Sequence, residues 1–138
     1  MKRYIKSAIL NISDEHPDTR FDIAVDEDTD WELLKDLIHD SDSWVRGAAF
    51  HNPNIPIPVL VEYSNYSDPA IMINIALNPN TPSNILNRYS YSANSQIRIN
   101  VAMNPNSSTE TLQRLTTDRD WMVREKAEKQ LMDRGVIL

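Results

Sequence analysis

Ile97-Arg98-Ile99-Asn100-Val101-Ala102-Met103-Asn104-Pro105-Asn106 closes on a tripeptide that has already occurred twice, as Asn52-Pro53-Asn54 and Asn78-Pro79-Asn80. Each copy follows the last by 26 residues. Self-similarity at a fixed period of roughly 20–50 residues marks stacked repeats, in which each unit buries its apolar face only against its neighbours. On this register four units run 29–54, 55–80, 81–106 and 107–132.

Four positions carry the core pattern. The sixth is Leu34, Leu60, Leu86 and Leu112; the ninth is Leu37, Tyr63, Tyr89 and Leu115. The seventeenth is Val45, Ile71, Ile97 and Val123; the twenty-first is Ala49, Ile75, Val101 and Ala127. Spacings of three and four predict two short amphipathic helices per unit. Position 14 (Asp42, Asp68, Asn94, Asp120) supplies N-cap residues, and Pro69 suits a first helical position. The other helix is expected to start near Thr29, Ile55, Thr81 and Ser107, with Thr29–Glu32 and Ser107–Glu110 at capping-box spacing. Pro53, Pro79 and Pro105 end the preceding helices, because a residue before proline avoids the α region. Asn52, Asn78 and Asn104 read as structural corners whose side chains satisfy backbone groups and whose backbone tolerates the left-handed region.

Thr19–Val25 aligns with Ile97–Met103, so 1–28 reads as a degenerate N-terminal capping unit. At the other end Gln130-Leu131-Met132 replaces the corner, and 107–138 reads as a C-terminal capping repeat ending at Gly135. Its outer face, Glu125, Lys126, Glu128 and Lys129, is charged, as solubility of a terminal repeat requires. The expectation is an all-α solenoid of about five two-helix repeats, forming one domain over 1–138.

The segment from Ile97 to Asn106 and the corner Asn78-Pro79-Asn80-Thr81-Pro82 resemble the leucine-rich repeat variant motif, V-R-x-x-V-A-x-N-P-x-T-P followed by a leucine-bearing helix. The resemblance spans about 29–132 and is similar, more loosely, to HEAT-like repeats. It implies a right-handed superhelix of short helices, some of them 3-10. Two departures stand out: Met72 where the motif has Arg, and the missing corner in the last unit. One member of that family binds an iron–sulfur cluster through cysteines; this chain has none, so no cofactor is expected.

The 20 acids and 14 bases are unevenly placed. Residues 1–54 hold 12 acids against 6 bases, whereas 55–106 hold only Glu62, Asp68, Arg88 and Arg98. No stretch reaches the roughly 18 apolar residues of a membrane span. Ala8-Ile9-Leu10 after Lys2 and Arg3 is too short for a signal peptide, and the expected location is cytoplasmic.

Catalytic chemistry finds little here. His16, His39 and His51 fall in different units, and only His39 and His51 have a register that could bring them near each other. Two glycines exclude a phosphate-cradling loop. Asp26, Asp28 and Asp30 alternate like the start of a calcium loop, but the required Gly is missing and Leu37 stands where the closing Glu belongs. No catalytic or metal-binding residue is expected.

A contact surface is the better reading. Positions 19 and 23 of the second helix point away from positions 17 and 21. In the central units they are Ile73, Leu77, Ile99 and Met103, against Gly47, His51, Glu125 and Lys129 in the flanking ones. With Tyr66 or Tyr91 at the margin, these four form the candidate surface for an unidentified protein partner or for self-association. Trp44 and Met122, at position 16, could extend it. The alternative is nucleic-acid binding through the position-18 ladder Arg20, Arg46, Arg98 and Arg124. A net charge of −6 argues against it, and guanidiniums bridging to the adjoining unit explain the ladder structurally.

Overall fold

The computed structural model describes residues 11–136. Within that range it is all-helical. A 3-10 turn at Ile12–Asp14 precedes nine α-helices: α1 (Pro17–Val25), α2 (Trp31–Leu37), α3 (Ser43–His51), α4 (Ile57–Tyr63), α5 (Pro69–Leu77), α6 (Ser83–Tyr89), α7 (Ser95–Met103), α8 (Thr109–Leu115) and α9 (Trp121–Asp133). No strand occurs among the described residues. Residues 1–10 of the N-terminal unit, the Ala8-Ile9-Leu10 segment among them, lie outside that range.

Helices α3, α5 and α7 begin 26 residues apart, as do α2, α4, α6 and α8. The odd-numbered helices pack on one another in chain order, α1 on α3, α3 on α5, α5 on α7 and α7 on α9. They form the spine; α2, α6 and α8 pack against it as a second layer, and α4 joins that layer through Arg88 and Tyr89 of α6, which donate to Ser64 O at its end. Small buried residues at position 22 of the spine, Ala24, Ala76 and Ala102, let neighbouring helices approach closely. The expected core lies between the layers. Leu34, Leu60, Leu86 and Leu112 are fully buried, as are Ala49, Ile75, Val101 and Ala127. Tyr63 and Ile71 depart from the pattern and are only half-buried.

Asp42, Asp68, Asn94 and Asp120 each accept a hydrogen bond from the N–H two residues on, capping α3, α5, α7 and α9. The start of the shorter helices differs from expectation. Their N-caps are Asp30, Pro56, Pro82 and Ser108, one residue later than anticipated, and neither capping box forms. The hydroxyls of Thr29, Thr81 and Ser107 turn back instead. They donate to Ile23 O, Ile75 O and Val101 O, each at 2.6 Å, and so satisfy carbonyls at the end of the preceding helix.

The corners tie the stack together. Asn78 Nδ2 donates to Phe50 O and Asn52 O of the preceding unit, at 2.8 and 2.9 Å. Asn52 makes the same pair of bonds to Ala24 O and Asp26 O, and Asn104 to Ala76 O and Asn78 O. In the last unit Gln130 Nε2 does this to Ala102 O and Asn104 O. Each asparagine Oδ1 accepts the N–H two residues on, which closes the turn. No corner adopts the left-handed backbone the sequence allowed; Asn52, Asn78 and Asn104 are extended, with φ of −66°, −66° and −76°. The following proline favours that conformation. Gly135, φ 76°, takes the left-handed position after α9.

Two substitutions separate packing from polar ties. Leu86→Ala leaves a cavity in the core and is expected to cost roughly 2–5 kcal/mol. Asn78→Ala strands the buried Phe50 O, while Asn52 O keeps the Ile55 N–H, and is expected to cost about 1–3 kcal/mol. Chemical denaturation of each variant measures both; an unchanged midpoint for Asn78→Ala would show that the corner amide is not a tie.

Candidate protein-binding surface

The six candidate contact residues do not form one surface. Ile99 is 7% exposed, so it is removed from the candidate set. Its helix, α7, is buried at six successive positions, Ile97 to Ala102. A two-sided wheel fails for such a helix. Neighbours on the same layer stand about 8–10 Å away, close enough to enclose a side chain that points between them. Asn100 shows that side of the helix directly, donating to Ile73 O of α5 at 3.0 Å. Ile73 is half-buried and packs against the core cluster that includes Ile99.

Position 23 behaves differently because it lies at the helix end. Met103 is 51% exposed, although Leu77, like Ile73, is half-buried. The row also includes Val25, exposed, with Phe21 beside it at position 19 of the first unit. The apolar character is therefore not confined to the centre. His51 interrupts it, and Gly47 lies beneath: a Cβ there would come within 2.8 Å of Asn74 Nδ2. Beyond Met103 the surface drops into a groove of about 440 Å³ whose other wall is Lys126, Lys129 and Arg134. Trp44, 78% exposed, and Met122 sit at the opposite end of the same layer.

Tyr66 and Tyr91 belong to that other end. They lie in the loops before α5 and α7, whereas Leu77 and Met103 close those helices. At 1.5 Å per residue, a nine-residue helix puts about 13 Å between them. The tyrosines instead line one groove of about 400 Å³ together with Met72 and Arg88. Tyr91 is 69% exposed and lies under the Arg114 guanidinium at 4.1 Å from the ring centre. Tyr66 packs at a tilt against Tyr63, which meets Phe50 edge-on and shares a hydrogen bond with His39 at 3.2 Å. That bond, from the α2 end of the second layer, accounts for His39; His51 is on the spine.

Two rungs of the arginine ladder are internal. Arg98 Nε and Nη2 bind both oxygens of Asp118 in the next unit, at 2.9 and 3.1 Å, and Nη1 donates to Ser92 O of its own loop. Arg20 repeats this with Asp40 and Glu15 O. Both arginines are buried, 4% and 8% exposed. Arg46 and Arg124 keep only the carbonyl half, to Asp40 O and Asp118 O. Position 18 of unit 55–80 is Met72, and its neighbours at position 12 are Tyr66 and Ser92 rather than Asp. The missing bridge opens the tyrosine groove.

Burial pushes the Asp118 carboxyl up, but the Arg98 hydrogen bonds, the Asp120 N–H and the charges of Arg98 and Arg119 outweigh it, leaving the pKa below the usual 3.8. Burial pushes the Tyr89 hydroxyl up to about 12, against the opposing charge of Arg88. That hydroxyl donates to Ser64 O at 3.1 Å.

No group of three or more His, Cys, Asp or Glu is placed to hold a metal among the described residues. Asp28 N–H donates to Asp26 Oδ1 and Asp30 caps α2, so two of the three alternating acids serve the local turn and cap. No described helix is long and apolar enough to cross a membrane.

Fold and surface together define an all-helical repeat protein with contacts between successive helices. Compared with known proteins, the chain matches no family model, no curated protein and no solved structure.

The bridge at Asp118 makes a pH prediction. Its folded pKa is depressed, so its stabilising contribution is present above the ordinary value of 3.8 and is lost as pH falls through the folded value. Asp118→Asn is expected to be less stable at neutral pH and to lose less of its melting temperature between neutral and strongly acid solution. Parallel acid limbs for variant and parent would refute it.

Proposed function

We propose that this protein is a non-enzymatic interaction module, a cytoplasmic scaffold of the leucine-rich-repeat-variant type that contacts another protein through the outer face of its spine helices. One observation carries the reading: part-exposed apolar side chains, Val25, Leu77 and Met103, recur at one repeat position along the stack. A recurring row of this kind offers a partner an extended apolar strip. The groove beyond Met103 adds a basic wall, Lys126, Lys129 and Arg134, with Asp133 paired to Lys129 at 3.2 Å. An apolar strip ending in a basic wall favours a protein partner that carries acidic residues beside its apolar anchors.

Nucleic-acid binding through the arginine ladder has less support. Two of its four guanidiniums are committed to buried carboxylates, and phosphate would have to displace them.

The test is a double substitution, Leu77→Glu with Met103→Glu, at side chains that reach solvent. The variant is expected to keep its helical content and melting temperature. Quantitative comparison of proteins captured by parent and variant from native extract should show specific partners lost, with apparent affinity down by at least tenfold on a purified partner. Equal capture by both proteins would overturn the reading.

A further inference from the structure

The outer face of the second layer carries a charge pattern independent of the spine. Position 8 of successive units is Asp36, Glu62, Arg88 and Arg114, two acids followed by two bases. These residues lie near the ends of α2, α4, α6 and α8, so they form one row across the layer. Among the described residues Asp36 and Glu62 have no ion-pair partner; the described pairs are His16–Asp18, Arg20–Asp40, Lys35–Glu32, Arg98–Asp118 and Lys129–Asp133. The bases are held in place by neutral acceptors. Arg88 donates to Asn65 Oδ1, Ser64 O and Ser64 Oγ, and Arg114 to Asn87 Oδ1 and Ser90 Oγ. Arg114 also stacks on Tyr91. Their direction is fixed while no described carboxylate pairs with their charge, which lowers the ordering cost of meeting one. Beside Glu62, Ile57 and Val61 of α4 are 50% and 43% exposed, an aliphatic pair at i and i+4.

We infer that this face is a self-complementary docking surface for a second copy of the chain. The inference rests on the protein-contact reading above but uses the opposite layer. A row of the form acid, acid, base, base is its own complement when reversed. A two-fold axis parallel to these helices, passing between α4 and α6, reverses the order of units. It sets Glu62 against Arg88 of the second copy and Asp36 against its Arg114. Symmetry repeats both contacts, giving four charge pairs at one register. The same operation lays Ile57 and Val61 of each copy on α6 of the other, whose outer residues Ser83, Asn84 and Asn87 are exposed and uncharged. Glu32 and Glu110 also meet; Lys35 already neutralises Glu32 at 2.8 Å. Four helices about 10 Å long and about 10 Å apart give roughly 400 Å² of projected face per copy. That is at the small end for specific interfaces, so the dimer is weak and salt-sensitive.

Sedimentation equilibrium of the full chain over a range of concentrations tests this. The parent should show monomer and dimer at low ionic strength, with the dissociation constant rising at least tenfold at about 0.5 M salt, where the Debye length falls to a few ångströms. Glu62→Arg and Arg88→Glu should each raise it at least tenfold, and an equimolar mixture of the two should restore dimer, because each supplies the charge the other now lacks. Should Arg88→Glu fail to fold for want of its internal bonds, Asp36→Arg with Glu62→Arg, which breaks none, must still be monomeric. A parent monomeric at every concentration, charge variants that dimerise like the parent, or a mixture that stays monomeric would each overturn the inference. A dimer abolished by Leu77→Glu with Met103→Glu would place self-association on the spine, overturning this face while leaving the protein-contact reading intact.

Discussion

A side-chain amide at position 24 of the four units from residue 29 onward, donating both its hydrogens to two carbonyls one unit back, is the constraint on which the rest depends. Those carbonyls close a helix, where intrahelical partners run out. The carbonyl at position 24 also takes the N–H three residues on, but the one at position 22 depends on the amide, and burying it unpaired would cost about 1–3 kcal/mol. A short amide held by an extended corner reaches both at once, and the proline that follows helps keep the corner extended. Gln130 shows that the requirement is an amide at this place rather than a particular residue: with no proline behind it, α9 continues through position 24, and the longer side chain still reaches Ala102 O and Asn104 O. At the first unit the position is Asp26, which cannot donate when ionised and instead accepts from Asp28 N–H.

The other end of each spine helix has its own tie, and that tie is intermittent. Where Arg meets Asp in the next unit, as Arg20–Asp40 and Arg98–Asp118, the loop edge is bridged by a two-point ion pair. Where Met72, Tyr66 and Ser92 stand instead, the edge is open and aromatic. Helices of two turns have little stability of their own, so the stack owes its register to the amide ladder and its local surface character to the positions where the arginine ladder lapses.

The repeat register made most of this fold legible in the sequence. The period placed positions 6 and 21 in the core without exception, because a residue facing the other layer is buried whatever its neighbours do. It placed the N-caps of the spine helices as well, since Asp and Asn at a helix start act locally. It misjudged features that depend on the adjacent unit. Thr29 and Ser107 look like caps for the helix ahead, yet they bond to the helix behind. Ile99 looks outward on a wheel, yet α7 has a neighbour on each side. Phe21 and Val25 share positions 19 and 23 with the candidate residues, and the degenerate first unit hid them. Ile57 and Val61 lie at positions 3 and 7, on a second-layer helix, where the pattern of positions 19 and 23 carries no signal. Tyr66 and Tyr91 are exposed, but a linear motif gives no sense of how far a nine-residue helix separates its ends.

The amide ladder also has a direction in time. Every one of its donors reaches back, from residue 52 to 24 and 26, from 78 to 50 and 52, from 104 to 76 and 78, from 130 to 102 and 104. A ribosome releases the acceptors first. Each emerging unit finds the carbonyls it must bind already exposed on the unit before it, with water as their temporary partner. The stack can therefore be assembled in the order it is translated, one 26-residue step at a time, with no corner waiting on sequence still to be made.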